Sequence, residues 1–167
     1  MNLAAAGQGD SENGDQSGMM GFSYPEDSTK MCFNPAKSWQ LGWYSDKRIE
    51  LDMNTRGPFS GELIGLTDYQ DSDAANKYVN IKIDDGSTGY FIGFNRAEGI
   101  NINTKEGQNR VTVQSQQGSG YSESSLLATL AKNELYVISN YKGNIDLVIE
   151  VNDIVNADPP FSIIDIY

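Results

Sequence analysis

The chain has 167 residues, enough for one domain or a small pair with a real core. Asp and Glu outnumber Lys and Arg by 23 to 12, and the formal charge of -11 repels phosphate backbones and anionic membrane surfaces, which excludes nucleic acid as an expected partner. There is no His at all, so Ser-His and Cys-His nucleophile systems and imidazole-based zinc sites are ruled out, and an enzyme would have to work with carboxylates, Lys or Tyr.

Residues 1–18 are rich in Gly, Ser, Asn and Asp with almost no large apolar side chain; they read as loop and are expected to be poorly ordered. The start, "MNLAAAGQGD", has neither the basic region nor the apolar run of a signal peptide. No window approaches the roughly 18 apolar residues of a membrane span.

The stretch "GMMGFSYPEDSTKMCFNPAKSWQLGWY", residues 18–44, is unlike its surroundings. It gathers both Trp, three Met and the lone Cys32, yet holds no nucleophile-base pair and no ligand set. Cys32 has no intrachain partner, so it is either a buried thiol or half of a bridge to another segment. Within the stretch, "NPAKSWQLG" predicts a short helix. Asn34 suits the N-cap, Pro35 the first helical position, and Gly42 the left-handed residue past the end. Ala36, Trp39 and Trp43 fall on one face, so the helix should pack against something substantial.

From Lys47 the apolar period becomes two. "IELDM", "GELIGL", "YVNIKI", "YFIGFN", "RVTVQ", "ELYVISN", "IDLVIEV" and "FSIIDIY" read as short strands bounded mostly by Gly, Asn, Asp or Pro. "SESSLLATLAKN" interrupts them as a helix, with Ser122 as cap and Leu126, Leu127 and Leu130 as its apolar face. The expected fold is therefore mainly β, with a small helix-containing region over 1–46 and an antiparallel β-sandwich-like domain over 47–167.

Candidate chemistry in the β-rich part is sparse. Asp68, Asp71 and Asp73 offer oxygen ligands of the kind calcium takes, but without the spacing of a twelve-residue calcium loop. Asp84 and Asp85 read as a hairpin turn before a carboxylate pair. Arg96 and Glu98 read as a surface ion pair. Trp39 and Trp43 read as core before ligand platform.

Residues 15–44, and "MCFNPAKSWQLGWY" above all, resemble the segment that follows the zinc helix in the gametolysin-type metallopeptidases, a metzincin family that cuts matrix and cell-wall glycoproteins. "YFIGFNRAEGININ", "NRVTVQ" and "YSESSLLATL" look like the β-rich region that follows the catalytic domain. The resemblance implies that 1–46 is the remnant of a catalytic domain, with a Met-containing turn at Met20, Gly21 and Tyr24 and a supporting helix carrying Asn34, Trp39 and Trp43. It also implies an extracellular or cell-wall location, with a glycoprotein or the missing catalytic subdomain as partner. The intact family binds zinc through His-Glu-X-X-His-X-X-Gly-X-X-His. On that alignment Met1, Ala4 and Gly7 stand at the second His, the Gly and the third His, and the first His and the Glu precede the chain. No catalytic residue, metal ligand or cofactor is therefore expected in this chain. Three readings stay open: an inactive or degenerate piece of such a peptidase, a non-catalytic β-sandwich binding or structural module, and an enzyme with unrelated carboxylate chemistry.

Overall fold

All eight period-two segments become strands. The structure, a computed structural model, describes residues 3–21, 30–118, 120–143 and 145–167. Its strands are β1 (Ala6–Gly7), β2 (Arg48–Leu51), β3 (Phe59–Ile64), β4 (Asn80–Asp84), β5 (Thr88–Asn95), β6 (Arg110–Gln117), β7 (Ser124–Leu130), β8 (Leu135–Tyr141), β9 (Ile145–Val155) and β10 (Phe161–Ile166). Two α-helices, α1 (Pro35–Gln40) and α2 (Met53–Arg56), precede β2 and β3 respectively.

The strands form two sheets, a six-stranded one in the order β1-β7-β6-β5-β4-β2 and a four-stranded one in the order β3-β10-β9-β8. Both sheets contribute to one apolar core. Ile81, Ile83, Ile92 and Val113 of the first sheet and Leu147, Ile149, Val151 and Ile164 of the second are all buried within it. Each such side chain is worth roughly 1.5–3 kcal/mol of transfer free energy, which is what holds the sheets together. The pairing is antiparallel throughout the middle but not at the edges of the larger sheet. There β1 runs parallel to β7, and β2 parallel to β4. The expectation of wholly antiparallel strands is corrected at those two edges.

The helix expected over "SESSLLATLAKN" is strand β7 instead. Opposite it, Gln114 faces Leu126 and Val113 faces Ala128, so Leu127 is the extra residue of a bulge. That insertion breaks the two-residue alternation and gives Leu126, Leu127 and Leu130 their helix-like spacing. The leucines are apolar because a strand needs them.

Residues 3–18 of the segment expected to be poorly ordered are fastened down. Met20 O accepts the Ala6 N–H at 2.9 Å, Ala6 O accepts from Asp15 N at 3.1 Å, and Ala5 O accepts from Ser124 N at 3.2 Å. The reason lies in the sheet beneath. Its outer face carries Asn80, Thr112, Gln114, Gln116 and Ser124, all buried. A polar face is covered by groups that hydrogen-bond to it, and a Ser/Asn/Asp-rich loop does this where an apolar helix would not. Residue-resolved hydrogen exchange checks the point: the amides of Ala6 and Asp15 should exchange at least ~100-fold more slowly than that of exposed Asp10, whereas free-peptide rates throughout 3–17 would refute it.

Helix α1 lies on β4, β5 and β6. Asn34 Oδ1 accepts the Lys37 N–H at 2.9 Å as its cap, Pro35 opens the first turn, and Gly42 at φ 73° lets the chain leave. Pro35 sits against Gly93, where a Cβ would come within 2.6 Å of the proline ring, so the glycine permits the close approach. Contacts thus run across the boundary expected near residue 46.

Candidate binding cleft

Of the residues expected to form the Met-turn, Met20 and Gly21 belong to the N-terminal cover. Met20 is half-buried, and Gly21 is buried so closely against Asp15 O that a Cβ would overlap it. Tyr24 lies outside the described residues, as do Phe22 and Met1. Gly7 is buried in β1, where a Cβ would stand 2.9 Å from Ser11 O, so a histidine at the third-ligand position would have to displace backbone. Asn34 does more than cap a helix. Its Nδ2 donates to Asp15 Oδ2 at 2.7 Å and to Ser124 Oγ at 3.3 Å. Asp15 also accepts from the N–H and hydroxyl of Ser17. Burial raises the pKa of Asp15, and these bonds from Ser17 and Asn34 pull it part of the way back.

The two tryptophans part company. Trp43 lies beyond the end of α1, is 43% exposed, and packs on Phe33 with centroids 5.6 Å apart. Trp39 is half-buried on the sheet. The Arg48 guanidinium sits 4.6 Å from the centre of its ring, and Phe91 meets it edge-on at 6.0 Å. Beside it opens a cleft of about 290 Å³, walled by Trp39, Gln40, Phe91 and Gln116 with Lys82 and Asp84. Gly89, Gly118 and Gly120 supply the rest of its lining. A neighbouring depression of about 270 Å³ adds Gly86 and Ser87 and shares Asp84, Gly89 and Gly118, so the two form one track.

Sequence position explains why these residues meet. On β4, β5 and β6 the residues that alternate with the core set point to the outer face: Lys82, Phe91 and Gln116. Helix α1 covers part of that face, and its last residues, Trp39 and Gln40, stop at the edge of what is left open. The segment 120–122, whose Gly120 lines the cleft, is pinned from three sides. Gln116 Nε2 donates to Gly120 O at 3.0 Å and to Ser122 Oγ at 2.7 Å. Gln40 Nε2 and Lys37 Nζ both donate to Ser122 O, at 3.0 and 2.8 Å. The buried Oε1 of Gln40 takes no hydrogen bond among the described residues.

The charges of the cleft are already paired. Lys82 Nζ lies 2.7 Å from Glu50 Oε1 and 2.9 Å from Asp84 Oδ2. Burial works against its positive charge, but the bonds to Glu50 and Asp84 prevail and raise its pKa. Burial likewise opposes the negative charge of Asp84, yet Lys82 and the Gly86 N–H hold its pKa below the usual carboxylate range. Asp85 is lowered in the same way by the N–H groups of Thr88 and Ser87 as it closes the β4–β5 turn. Two carboxylates that both stay ionised give no general acid, so this pair lacks the split in pKa that acid-base work requires.

The other candidates do not assemble. Asp71 Oδ1 accepts the Asp73 N–H at 2.9 Å, while Asp68 turns to Arg96 at 3.3 Å. Among the described residues no group of three or more His, Cys, Asp or Glu is placed to hold a metal ion. Arg96 corrects the expectation of a surface pair. Its side chain is only 15% exposed and bridges Asp68 and Glu98. Burial pushes the Cys32 thiol up to about 11, so it stays protonated at neutral pH. Among the described residues no helix is long and apolar enough to cross a membrane.

Trp39, expected as core before ligand platform, is half-buried against Phe91 and also edges the cleft, while Gln40, Lys82, Phe91 and Gln116 carry no sequence motif. The available signal was Phe91, a large aromatic between Gly89 and Gly93 on the polar side of its strand. No protein-family model, curated protein or solved structure matches the chain.

Proposed function

We propose that the chain is a non-catalytic binding module whose working surface is the cleft beside Trp39. The observation that carries this is the composition of the cleft. It joins two aromatic rings, two amide side chains and a charge-neutralised Lys82–Asp84 pair, but no group poised to transfer a proton or attack a bond. Concave sites of this kind, partly apolar with a few convergent polar groups, are where small ligands bind. The resemblance in residues 15–44 adds the origin and the setting. On it, 1–46 descends from a gametolysin-type catalytic domain, 47–167 from the sandwich-like region behind it, and the partner is an extracellular or cell-wall glycoprotein.

Co-sedimentation with insoluble cell-wall glycoprotein tests the proposal. The purified chain should sediment, Trp39→Ala should bind at least ~10-fold more weakly, and Trp43→Ala, outside the cleft, should bind as the parent does. The same preparation should not cleave casein with or without added zinc. Equal sedimentation of the parent and Trp39→Ala, or chelator-sensitive cleavage, would overturn it.

A further inference from the structure

Resting on that assignment of the cleft, we infer that its ligand is a neutral oligosaccharide, the glycan of the partner glycoprotein and not its polypeptide. Charge decides against the ionic alternatives. The protein carries a net charge of -11, which opposes an anionic ligand, and the two cations nearest the indole are both engaged. Lys82 is held by Glu50 and Asp84, and Arg48 lies over Trp39 and reaches Trp39 O at 3.5 Å. A cationic ligand meets the reverse problem, since Asp84 and Glu50 are already paired with Lys82 and the ring already has a cation against it.

What the cleft offers is suited to hydroxyl groups. A sugar hydroxyl both donates and accepts, so it can use the ionised carboxylate of Asp84 together with the amide of Gln40, whose Nε2 spends one hydrogen on Ser122 O. The C–H face of a pyranose supplies apolar surface for the part of Trp39 that stays open, with Phe91 packed beneath it. Glycines at 89, 118 and 120 keep side chains out of the way along the track. Size fixes the length: a space of about 290 Å³ holds about one or two sugar rings, and the adjoining depression of about 270 Å³ extends the contact. An oligosaccharide fills both; a folded polypeptide surface fits neither.

The test uses the intact chain and three kinds of probe. Amide chemical shifts are followed while cellohexaose, maltohexaose and mannohexaose, and separately hexagalacturonate, are added. In parallel, the sedimentation assay is repeated with wall glycoprotein chemically stripped of its sugars. A neutral hexasaccharide should move the amides of Gly89, Gly118 and Gly120, and its disaccharide should bind at least ~5-fold more weakly because it reaches one depression only. Hexagalacturonate should bind at least ~10-fold more weakly than the neutral chain of equal length. Stripping the sugars should abolish Trp39-dependent sedimentation. Retention of that sedimentation after stripping overturns the saccharide assignment and leaves the binding module standing. Tighter binding of hexagalacturonate than of every neutral hexasaccharide overturns the neutral assignment. Absence of Trp39-dependent binding to the intact glycoprotein removes both.

Discussion

Asn34→Ala should lower the unfolding free energy by about 3 kcal/mol, a large effect for a residue at the end of a six-residue helix. Two losses combine. The Lys37 N–H loses its cap, worth about 1 kcal/mol. The larger loss is at Asp15, a fully buried carboxylate whose Oδ2 accepts from Asn34 at 2.7 Å. Removing a hydrogen bond to a buried charged group costs about 1.5–3 kcal/mol, and the carboxyl responds by keeping its proton to higher pH. Urea denaturation at pH 7 measures the sum. Asn34→Asp separates the two contributions, because it restores a capping oxygen but sets a second carboxylate against Asp15. It should be no more stable than the alanine variant. A loss under about 1 kcal/mol for Asn34→Ala would show that the polar layer is not holding the N-terminal cover.

Lys37→Met should stabilise the chain at neutral pH, and the gain should disappear as the pH rises. Lys37 is fully buried, with its Nζ on Ser122 O at 2.8 Å. Burial lowers its pKa from 10.5 to about 8, and the carboxylates of Glu123 and Asp15 pull it back only in part. The unfolded chain holds the proton in water up to 10.5, so charging this amine in the fold costs about 3 kcal/mol at pH 7. Between pH 8 and 10.5 the unfolded state binds the extra proton, and stability from this group rises with pH. Cys32 has the opposite sign. Its pKa is raised from 9.0 to about 11, so its contribution is lost as pH rises through that range. The thiol is present in both proteins, so it cancels in their difference. Methionine removes the charge but also the bond to Ser122, worth about 1 kcal/mol, which leaves a net gain of about 2 kcal/mol at pH 7. By pH 10.5 the parent should be the more stable by about 1 kcal/mol. A difference that does not change with pH would rule this account out.

Eight of the ten strands among the described residues were legible because each has a run of alternating apolar residues, as in Val79, Ile81 and Ile83. β7 failed for a local reason, the bulge at Leu127, which shifts one strand face by a residue. The docking of 3–21 could not be read either. Its only apolar anchor of note is Ala6, and its attachments are polar: Asp15 to Asn34 and Ser17 O to Thr104. A composition that ordinarily marks a free loop is here complementary to an equally polar sheet face, and that complementarity exists only between segments far apart in sequence. The same applies to the cleft. Trp39 stood out by residue type, but Gln116 and Lys82 acquire meaning only once β4, β5 and β6 lie side by side beneath the helix.

The two-residue strand β1 takes its place beside Ser124 and Ser125. During synthesis residues 6 and 7 therefore wait for more than a hundred others before their partner strand exists. Until then the outer side of the growing sheet has an incomplete lid. Had that side been built from leucine and valine, the waiting intermediate would expose a sticky surface for the whole interval. Because it presents Asn80, Thr112, Gln114 and Gln116 around Phe91 and Leu126, water can solvate most of it while the lid is late. The polar layer thus lessens the apolar area left open while this long-range closure is pending.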